Sequence, residues 1–567
     1  MNSVSGNNWE EIIVSQRIID KVKSDYNFNE IISKLVISRE YDQTEIDLVN
    51  NSIELHNPFI QHKDFKIGIE ILSEVINKNK KILILGDYDV DGCVSTALLV
   101  NFFESLNKKV NYYIPSRFKD GYGASLKLIK KITKKKPDLI IMVDCGSNSS
   151  ESIKYLKAKN IKTIIIDHHE IYKPYPKSDC IINPKKESQL DKFDYLCSSF
   201  LTYFFINYFI KFNNLKIDNK KELINVLLAT VCDVMPLRGL NKILAKIVLK
   251  DFNFKDYFLY EKIFSIKKIN KPLDIEDLGF LIGPILNSPG RLNDANIVVN
   301  LLTSKDNTLK LKIINQLITF NEKRKLIENN LIKEIDLERV SKIKDHVLVE
   351  HNKIISEGII GIIASKLKEY FNKPCVILTK VNDVYKASAR STSNFNIGKY
   401  INQAIQKKII LDGGGHNLAA GFTIRKNRIN EFKLFINNVF KRNNVYITKN
   451  YISKISINAI NDQFYSNIRS IGPFGPGNSN PTFLIENVKI LSPKILKDKI
   501  VSFFIKTKSS KLFPCISFTF TESDLYKTLL YNKNEISLIV QIKENIWNNK
   551  KKLQLVVLDA INDPNKA

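Results

Sequence analysis

Along this chain the apolar positions follow two periods, and the places where one gives way to the other mark its parts. Lys81-Ile82-Leu83-Ile84, Asp138-Leu139-Ile140-Ile141-Met142-Val143 and Lys162-Thr163-Ile164-Ile165-Ile166 are short β-branched runs that predict buried strands. Helix-like segments separate them, as in Cys93 to Phe103. Strands alternating with helices predict an α/β parallel sheet with helices on both faces. From Asp306 to about Val340, Lys, Leu and Ile recur at helical spacing without Gly or Pro, which predicts one long helix bridging two domains. Nearer the C-terminus, Thr482 to Ile490, Val501 to Thr507, Cys515 to Thr519, Ile536 to Ile542 and Leu553 to Leu558 read as the short strands of a small barrel. Residues 1 to about 50 read as a helical cap, with Trp9, Ile12, Ile13 and Ile18-Ile19 on apolar faces.

Composition narrows the class. At 567 residues the chain is too long for one core, so three or four domains are expected. No apolar run approaches the length of a membrane span, and none flanks the N-terminus as a signal peptide does, so a cytoplasmic location without membrane association is expected. Seven cysteines without CxxC spacing suggest neither a zinc site nor a disulfide framework. The formal charge of +27 invites a polyanionic partner. A Lys-, Asn- and Ile-rich composition of the kind an AT-rich genome produces weakens that inference, so position matters more than total.

The chemistry concentrates at the ends of the predicted strands. Gly86-Asp87-Tyr88-Asp89-Val90-Asp91-Gly92 places three carboxylates in one strand-to-helix turn, where their mutual repulsion raises their pKa values unless it is compensated. A divalent cation is the usual compensation. An acidic helix cap is the plain alternative. Asp144-Cys145-Gly146-Ser147-Asn148 and Asp167-His168-His169-Glu170 end the next two strands. Sites in such sheets form outside the carboxyl ends of the strands, so these groups can converge on one crevice. Asp233 adds a carboxylate to the otherwise apolar run around Val231-Cys232-Asp233-Val234-Met235-Pro236-Leu237, costly unless paired or coordinating.

These motifs resemble those of the RecJ exonucleases, single-strand-specific members of the DHH phosphoesterase superfamily, and the likeness runs from about Glu30 almost to the C-terminus. It implies that Asp89, Asp91, Asp144, His168 and Asp233 hold two divalent metal ions, Mn²⁺ or Mg²⁺. Asp144 would bridge them, His169 would face the scissile phosphate, and Asp87 would be a further ligand or supporting partner. Ile114-Pro115-Ser116-Arg117-Phe118-Lys119-Asp120-Gly121-Tyr122-Gly123 is similar to a family segment that grips DNA. Arg117 can bind a phosphate bidentately and Tyr122 offers a stacking face. In Gly279 to Leu302 the glycines and prolines mark tight turns, with Asn287 and Arg291 as candidate phosphate contacts. Ala387-Ser388-Ala389-Arg390-Ser391 and Gly413-Gly414-Gly415-His416 resemble motifs of the DHHA1 domain. Three glycines let backbone N–H groups approach an anion beside a helix N-terminus. Gly414, Gly415 and His416 are therefore candidates for binding a DNA phosphate, and Ser388 and Arg390 for recognising the DNA 5′ end. Pro473-Phe474-Gly475-Pro476-Gly477-Asn478 resembles a family turn that precedes an OB-fold, a common binder of single strands.

The expected organisation is a helical cap over 1–50, a DHH domain over 51–270, a connecting segment with the long helix over 271–340, a smaller α/β DHHA1 domain over 341–445 and an OB-fold β-barrel over 446–567. The resemblance implies hydrolysis of single-stranded DNA from 5′ to 3′ into mononucleotides, in repair and recombination. It also implies a monomer that works beside a helicase and a single-strand binding protein. Three alternatives stand beside it: a DHH-family phosphodiesterase acting on short oligonucleotides or cyclic dinucleotides, an inorganic pyrophosphatase, and a non-catalytic DNA-binding scaffold. The GGGH unit argues against the second, and the intact ligand set argues against the third.

Overall fold

The computed structural model describes the chain except residues 2, 52, 122, 187–190, 293, 336–344, 352–356, 444–447, 497–499, 507–511, 520–522, 548–549 and 562–567. Tyr122 therefore lies outside the described residues. Two compact units emerge, one of Tyr41–Arg324 with Ser470–Ser479, the other of Met1–Glu40, Lys325–Arg469 and Asn480–Ala567.

The N-terminal stretch corrects the expectation of an all-helical cap. Asn8–Glu11 is a strand (β1), and the helices Gln16–Tyr26, Glu30–Ser38 and Gln43–Asn50 follow it. Trp9 packs with Tyr451, Leu484, Ile539 and Ile561, while Ile13 is 93% exposed. Four residues with one large apolar side chain are too few to display a period. The indole finds its acceptor, Asp559, only in the folded chain (Trp9 Nε1 to Asp559 Oδ2, 2.9 Å).

In the Tyr41–Arg324 unit, β2 (Ile82–Leu85), β3 (Asn111–Tyr113), β4 (Leu139–Val143), β5 (Lys162–Ile166) and β6 (Cys180–Ile182) form a wholly parallel sheet in the order β3-β2-β4-β5-β6. Parallel strands are buried on both faces, which is why they read as unbroken apolar runs. Ile84, Ile141 and Ile164 enter one core, while Leu83, Leu85, Ile140 and Ile165 enter the other. The chain leaves β2 towards β3 on one side and returns to β4 on the other. That reversal opens a crevice at the carboxyl ends of β2 and β4.

The segment 278–292 corrects the expected tight turns. A π-helical turn, Leu278–Ile282, runs straight into the helix Gly283–Leu292, with Pro289 inside it. Of the long helix predicted to about Val340, Asn307–Glu334 is helical, and residues 336–340 lie outside the described residues.

In the other unit, β7 (Leu348–His351), β8 (Cys375–Val381), β9 (Val384–Arg390), β10 (Asp412–His416) and β11 (Ala419–Ile424) make a mixed sheet in the order β10-β11-β9-β8-β7. β12 (Thr448–Tyr451) pairs in parallel with β1. β13 (Ser453–Lys454), β14 (Phe483–Leu496), β15 (Ile500–Lys506), β16 (Leu512–Phe518), β17 (Ile536–Trp547) and β18 (Lys550–Ile561) form the last sheet. It is ordered β13-β14-β15-β16-β18-β17, and pairing of β14 with β17 closes it into a five-stranded barrel. Phe503 and Phe513 point inward, whereas Phe504 and Phe518 are exposed.

Candidate active site

β2 ends at Leu85, and the chain turns within four residues into the helix Val90–Ser105. Asp89 caps that helix, accepting from Gly92 N–H at 3.0 Å. The cap reading and the ligand reading thus describe one residue. Gly92 presses on the backbone of Asp87, where a Cβ would lie 2.5 Å from Asp87 N, so the turn closes tightly enough to bunch its carboxylates. Asp91 points at the start of another helix, Ser198–Phe212, and its two oxygens accept from Ser198 N and Ser199 N at 2.8 Å each. Asp144 follows β4 with a left-handed backbone (φ 60°) and accepts from Ser198 Oγ at 3.3 Å. His168 and His169 follow β5. Asp233 sits at the C-terminal cap of the helix Leu223–Cys232, where the helix dipole disfavours a carboxylate.

Three groups of ligand atoms result, each within 4.8 Å: Asp87 with Asp89 and Asp144, Asp91 with His168 and Asp233, and Asp144 with His168 and His169. Asp144 and His168 each belong to two of them. His168 Nε2 lies 3.2 Å from Asp233 Oδ2, 3.4 Å from Asp144 Oδ1 and 3.9 Å from Asp91 Oδ2. All five metal ligands expected from the sequence, together with Asp87, therefore meet in one place.

The electrostatics describe a site built for positive charge. Burial, then the charge of Asp89, pushes the Asp87 carboxyl up to about 7. Burial and neighbouring carboxylates likewise raise Asp91, Asp144 and Asp233 above the usual range. Asp87 Oδ1, Asp144 Oδ2 and Asp233 Oδ2 are buried without a hydrogen-bond partner among the described residues. Buried oxygens of this kind are costly unless they coordinate. Clustered carboxylate oxygens with an imidazole nitrogen fit divalent cations, with the nitrogen favouring Mn²⁺ somewhat over Mg²⁺.

Asp167 plays a different part. Its Oδ1 accepts from His168 N at 2.8 Å and lies 2.8 Å from His169 Nδ1, and its Oδ2 accepts from Ser147 N at 3.0 Å. Burial opposes its ionisation, but the two imidazoles and the Ser147 N–H prevail and hold it well below the usual carboxylate range. Burial also works against a charged His169 ring, and the Asp167 carboxylate overcomes it, pushing His169 up to about 9.

Sequence models of three families match the chain: the DHH family N-terminal domain over 81–231, the DHHA1 domain over 344–442 and the RecJ OB domain over 453–559. The single-stranded-DNA-specific exonuclease RecJ of Bacillus subtilis strain 168 is 26% identical over 561 residues, covering 95% of this chain and 69% of that protein. The protein of the same name from Escherichia coli K12 is 30% identical over 400 residues, covering 67% of this chain and 69% of its own length. The chain belongs to the RecJ family. In structure, RecJ from Thermus thermophilus in complex with Mn²⁺ superposes with a TM-score of 0.83 at 19% identity, over 98% of this chain and 80% of that one.

Beyond the metal centre of this RecJ-family chain, Arg117 lies over the Tyr88 ring (Cζ 4.3 Å from its centre), which places the guanidinium beside the acidic turn. Arg291 stands in the last turn of Gly283–Leu292. Asn287 also supports the acidic turn. Its Oδ1 accepts from Val90 N at 3.2 Å and so secures the same turn. Gly290 packs there too, since a Cβ would lie 2.3 Å from Tyr88 O.

The glycine run Asp412–His416 is strand β10, and the start of the helix Ile397–Gln406 packs against it, with a Cβ on Gly398 2.8 Å from Gly415 O. The register of β10 places Gly414 beside Gly421 and Ser388, and His416 beside Ala419 and Arg390. Directly opposed residues share a face, so Gly414, His416, Ser388 and Arg390 line one side of the sheet. Gly415 turns to the other side, where a Cβ would lie 2.5 Å from Ala420 Cβ. Gly361, at the start of the helix Ile360–Phe371, comes close to Ser388 and Arg390.

Three supports escaped the sequence reading. Asp167 was visible only as the first letter of the DHH triplet. Ser198 and Ser199 precede an aromatic-rich helical run, which is the ordinary signature of a helix start. Asn287 and Gly290 act across nearly two hundred residues, and no local pattern announces that.

Proposed function

We propose that this chain is a divalent-metal-dependent exonuclease that hydrolyses the phosphodiester bonds of single-stranded DNA from the 5′ end into mononucleotides, in DNA repair and recombination. The observation that carries this is the pair of ligand groups, Asp87-Asp89-Asp144 and Asp91-His168-Asp233, drawn together by His168 lying 3.4 Å from Asp144. Its relatives bear the name single-stranded-DNA-specific exonuclease, and RecJ from Thermus thermophilus forms complexes with Mn²⁺ and with Mg²⁺.

On this reading Asp87, Asp89 and Asp144 would hold one cation and Asp91, His168 and Asp233 the other, with Asp144 as the ligand they would share. The cations supply Lewis acidity, neutralising charge on the attacked phosphate and acidifying water. The chain's own residues do the rest. Ser198 and Ser199 fix both oxygens of Asp91 at the head of a helix. Asp167 engages His169 Nδ1, which directs the opposite ring nitrogen, Nε2, towards a substrate phosphate. Arg117 and Arg291 grip the strand near the acidic turn, and Tyr122 offers it a stacking face. Ser388, Arg390, Gly414 and His416 receive the 5′ end on one face of their sheet, with Gly415 supporting the strand from behind. Exposed Phe504 and Phe518 on the barrel offer stacking faces for unpaired bases. We further infer a monomeric, cytoplasmic enzyme that takes its single strands from a helicase and a single-strand binding protein.

Replacement of Asp144 by Ala tests the reading. Cleavage disappears while binding of single-stranded DNA stays largely intact. Near-normal turnover by Asp144→Ala removes the metal centre from the account.

A further inference from the structure

Asp233 stands in a strained turn. Its helix ends with Asp233 N bonded to Ala229 O at 2.9 Å, and the next residue, Val234, takes a left-handed backbone (φ 58°). A β-branched residue is an outlier there, and such a conformation persists only where its surroundings over-determine it. The surroundings come from two places far away in sequence.

The first is Glu45. It holds Arg238 through paired contacts (Nε to Oε1 2.6 Å, Nη2 to Oε2 2.7 Å) and accepts from Gly239 N at 3.2 Å. The second is Ile471 to Asn478, a motif that the sequence singled out and the catalytic account leaves unused. Pro476 O accepts from Leu237 N at 2.7 Å. Gly475 sits against Leu237, where a Cβ would lie 2.7 Å from Cδ1, and Gly477 (φ 70°) sits against Pro236, where a Cβ would lie 2.9 Å from Cβ. A side chain at Gly477 would meet the rigid Pro236 ring from a left-handed backbone, and one at Gly475 would displace the Leu237 side chain. Asn478 locks the segment's shape, donating to Ile471 O at 3.0 Å and Pro473 O at 2.9 Å, while Gly475 and Asn478 exchange backbone bonds at 3.0 and 3.1 Å. Tyr41 O–H donates to Asn478 Oδ1 and ties the segment to the body of the unit.

We propose that Gly475, Pro476 and Gly477 are positioning residues for Asp233 and set the affinity of the cation site that Asp91, His168 and Asp233 form. The segment reaches the metal ligand through the buried Leu237, and Glu45 steadies the same stretch from the other side. This rests on the reading of Asp233 as a metal ligand.

The test is isothermal titration of Mn²⁺ into the metal-stripped full-length chain, with no substrate present, for the parent, Gly477→Ala, Asp233→Asn and the double variant. Gly477→Ala is expected to weaken one class of site at least tenfold and to leave the other within twofold. In the Asp233→Asn background, where the ligand is already lost, Gly477→Ala adds less than twofold. Unchanged Mn²⁺ binding by Gly477→Ala, or an equal loss in both backgrounds, overturns the positioning role while the metal centre stands. Absence of Mn²⁺ binding by the parent overturns the metal-site reading and the positioning role with it. Should Gly477→Ala not fold, Glu45→Gln carries the same comparison from the opposite side of the turn without adding an atom to the contact.

Discussion

Asp167 Oδ1 lies 2.8 Å from His169 Nδ1, and the same carboxylate accepts the backbone N–H groups of Ser147 and His168. The first residue of the Asp-His-His triplet therefore aims the third, while the second faces the carboxylate cluster. Asp167→Asn keeps the shape but loses an acceptor and the charge. Partners of this kind are worth roughly 10- to 100-fold in activity or metal affinity. We expect kcat on single-stranded DNA to fall within that range, with the Kd for DNA unchanged within about threefold. A variant with parental kcat would show that His169 needs no such support.

Much of this centre is legible in the sequence for a physical reason. β2, β4 and β5 are buried on both faces, so they stand out as apolar runs, and the residues that end them fall at the crevice that a parallel sheet opens. Less visible are features whose meaning depends on distant contacts. Trp9 on β1 is explained only by Asp559, 550 residues away. Strand β10 holds three glycines, which carry no period of any kind. The turns expected in 278–292 proved helical because Gly283 and Gly290 are there for close packing, against Cys232 and Tyr88, rather than for bending.

Binding of Mn²⁺ should stabilise the fold. A cation that binds only the native state at 100 times its Kd adds about 2.7 kcal/mol per site. We expect the thermal midpoint to rise on adding Mn²⁺, to return on chelation, and to respond much less in Asp144→Ala. An equal response in that variant would place the cations elsewhere.

The N-terminal arm offers a pH-dependent test that involves none of the metal ligands. Burial works against ionisation of Asp559, but donors from Trp9, Asn7 and Ser3 prevail and hold its carboxyl below the usual range. A carboxyl depressed in the folded state stabilises the fold above its unfolded pKa of about 4, and that contribution fades as pH falls through the folded value. Asp559→Asn should cost about 1–3 kcal/mol in denaturant unfolding at pH 7. The gap between parent and variant should narrow from pH 5 downward. A gap independent of pH would mean that the charge contributes nothing.

Recognition of the 5′ end can be isolated at Arg390. On β9 it shares a face with Ser388, Gly414 and His416. A guanidinium-to-phosphate bond is a strong, charge-assisted one. Arg390→Ala should raise KM for 5′-phosphorylated single strands by about tenfold, in keeping with the roughly 1.5–3 kcal/mol such bonds contribute. KM for 5′-hydroxyl strands should change by less than about twofold. Equal losses on both substrates would assign Arg390 to general DNA binding.

The central claim is most directly tested by digesting a long 5′-labelled single-stranded DNA in Mn²⁺, beside the matching duplex, a dinucleotide and a chelated control. The account predicts labelled mononucleotide as the first product from the single strand, little from the duplex, and none after chelation. Cleavage confined to the dinucleotide, or label retained on long fragments while mononucleotides accumulate, would contradict it.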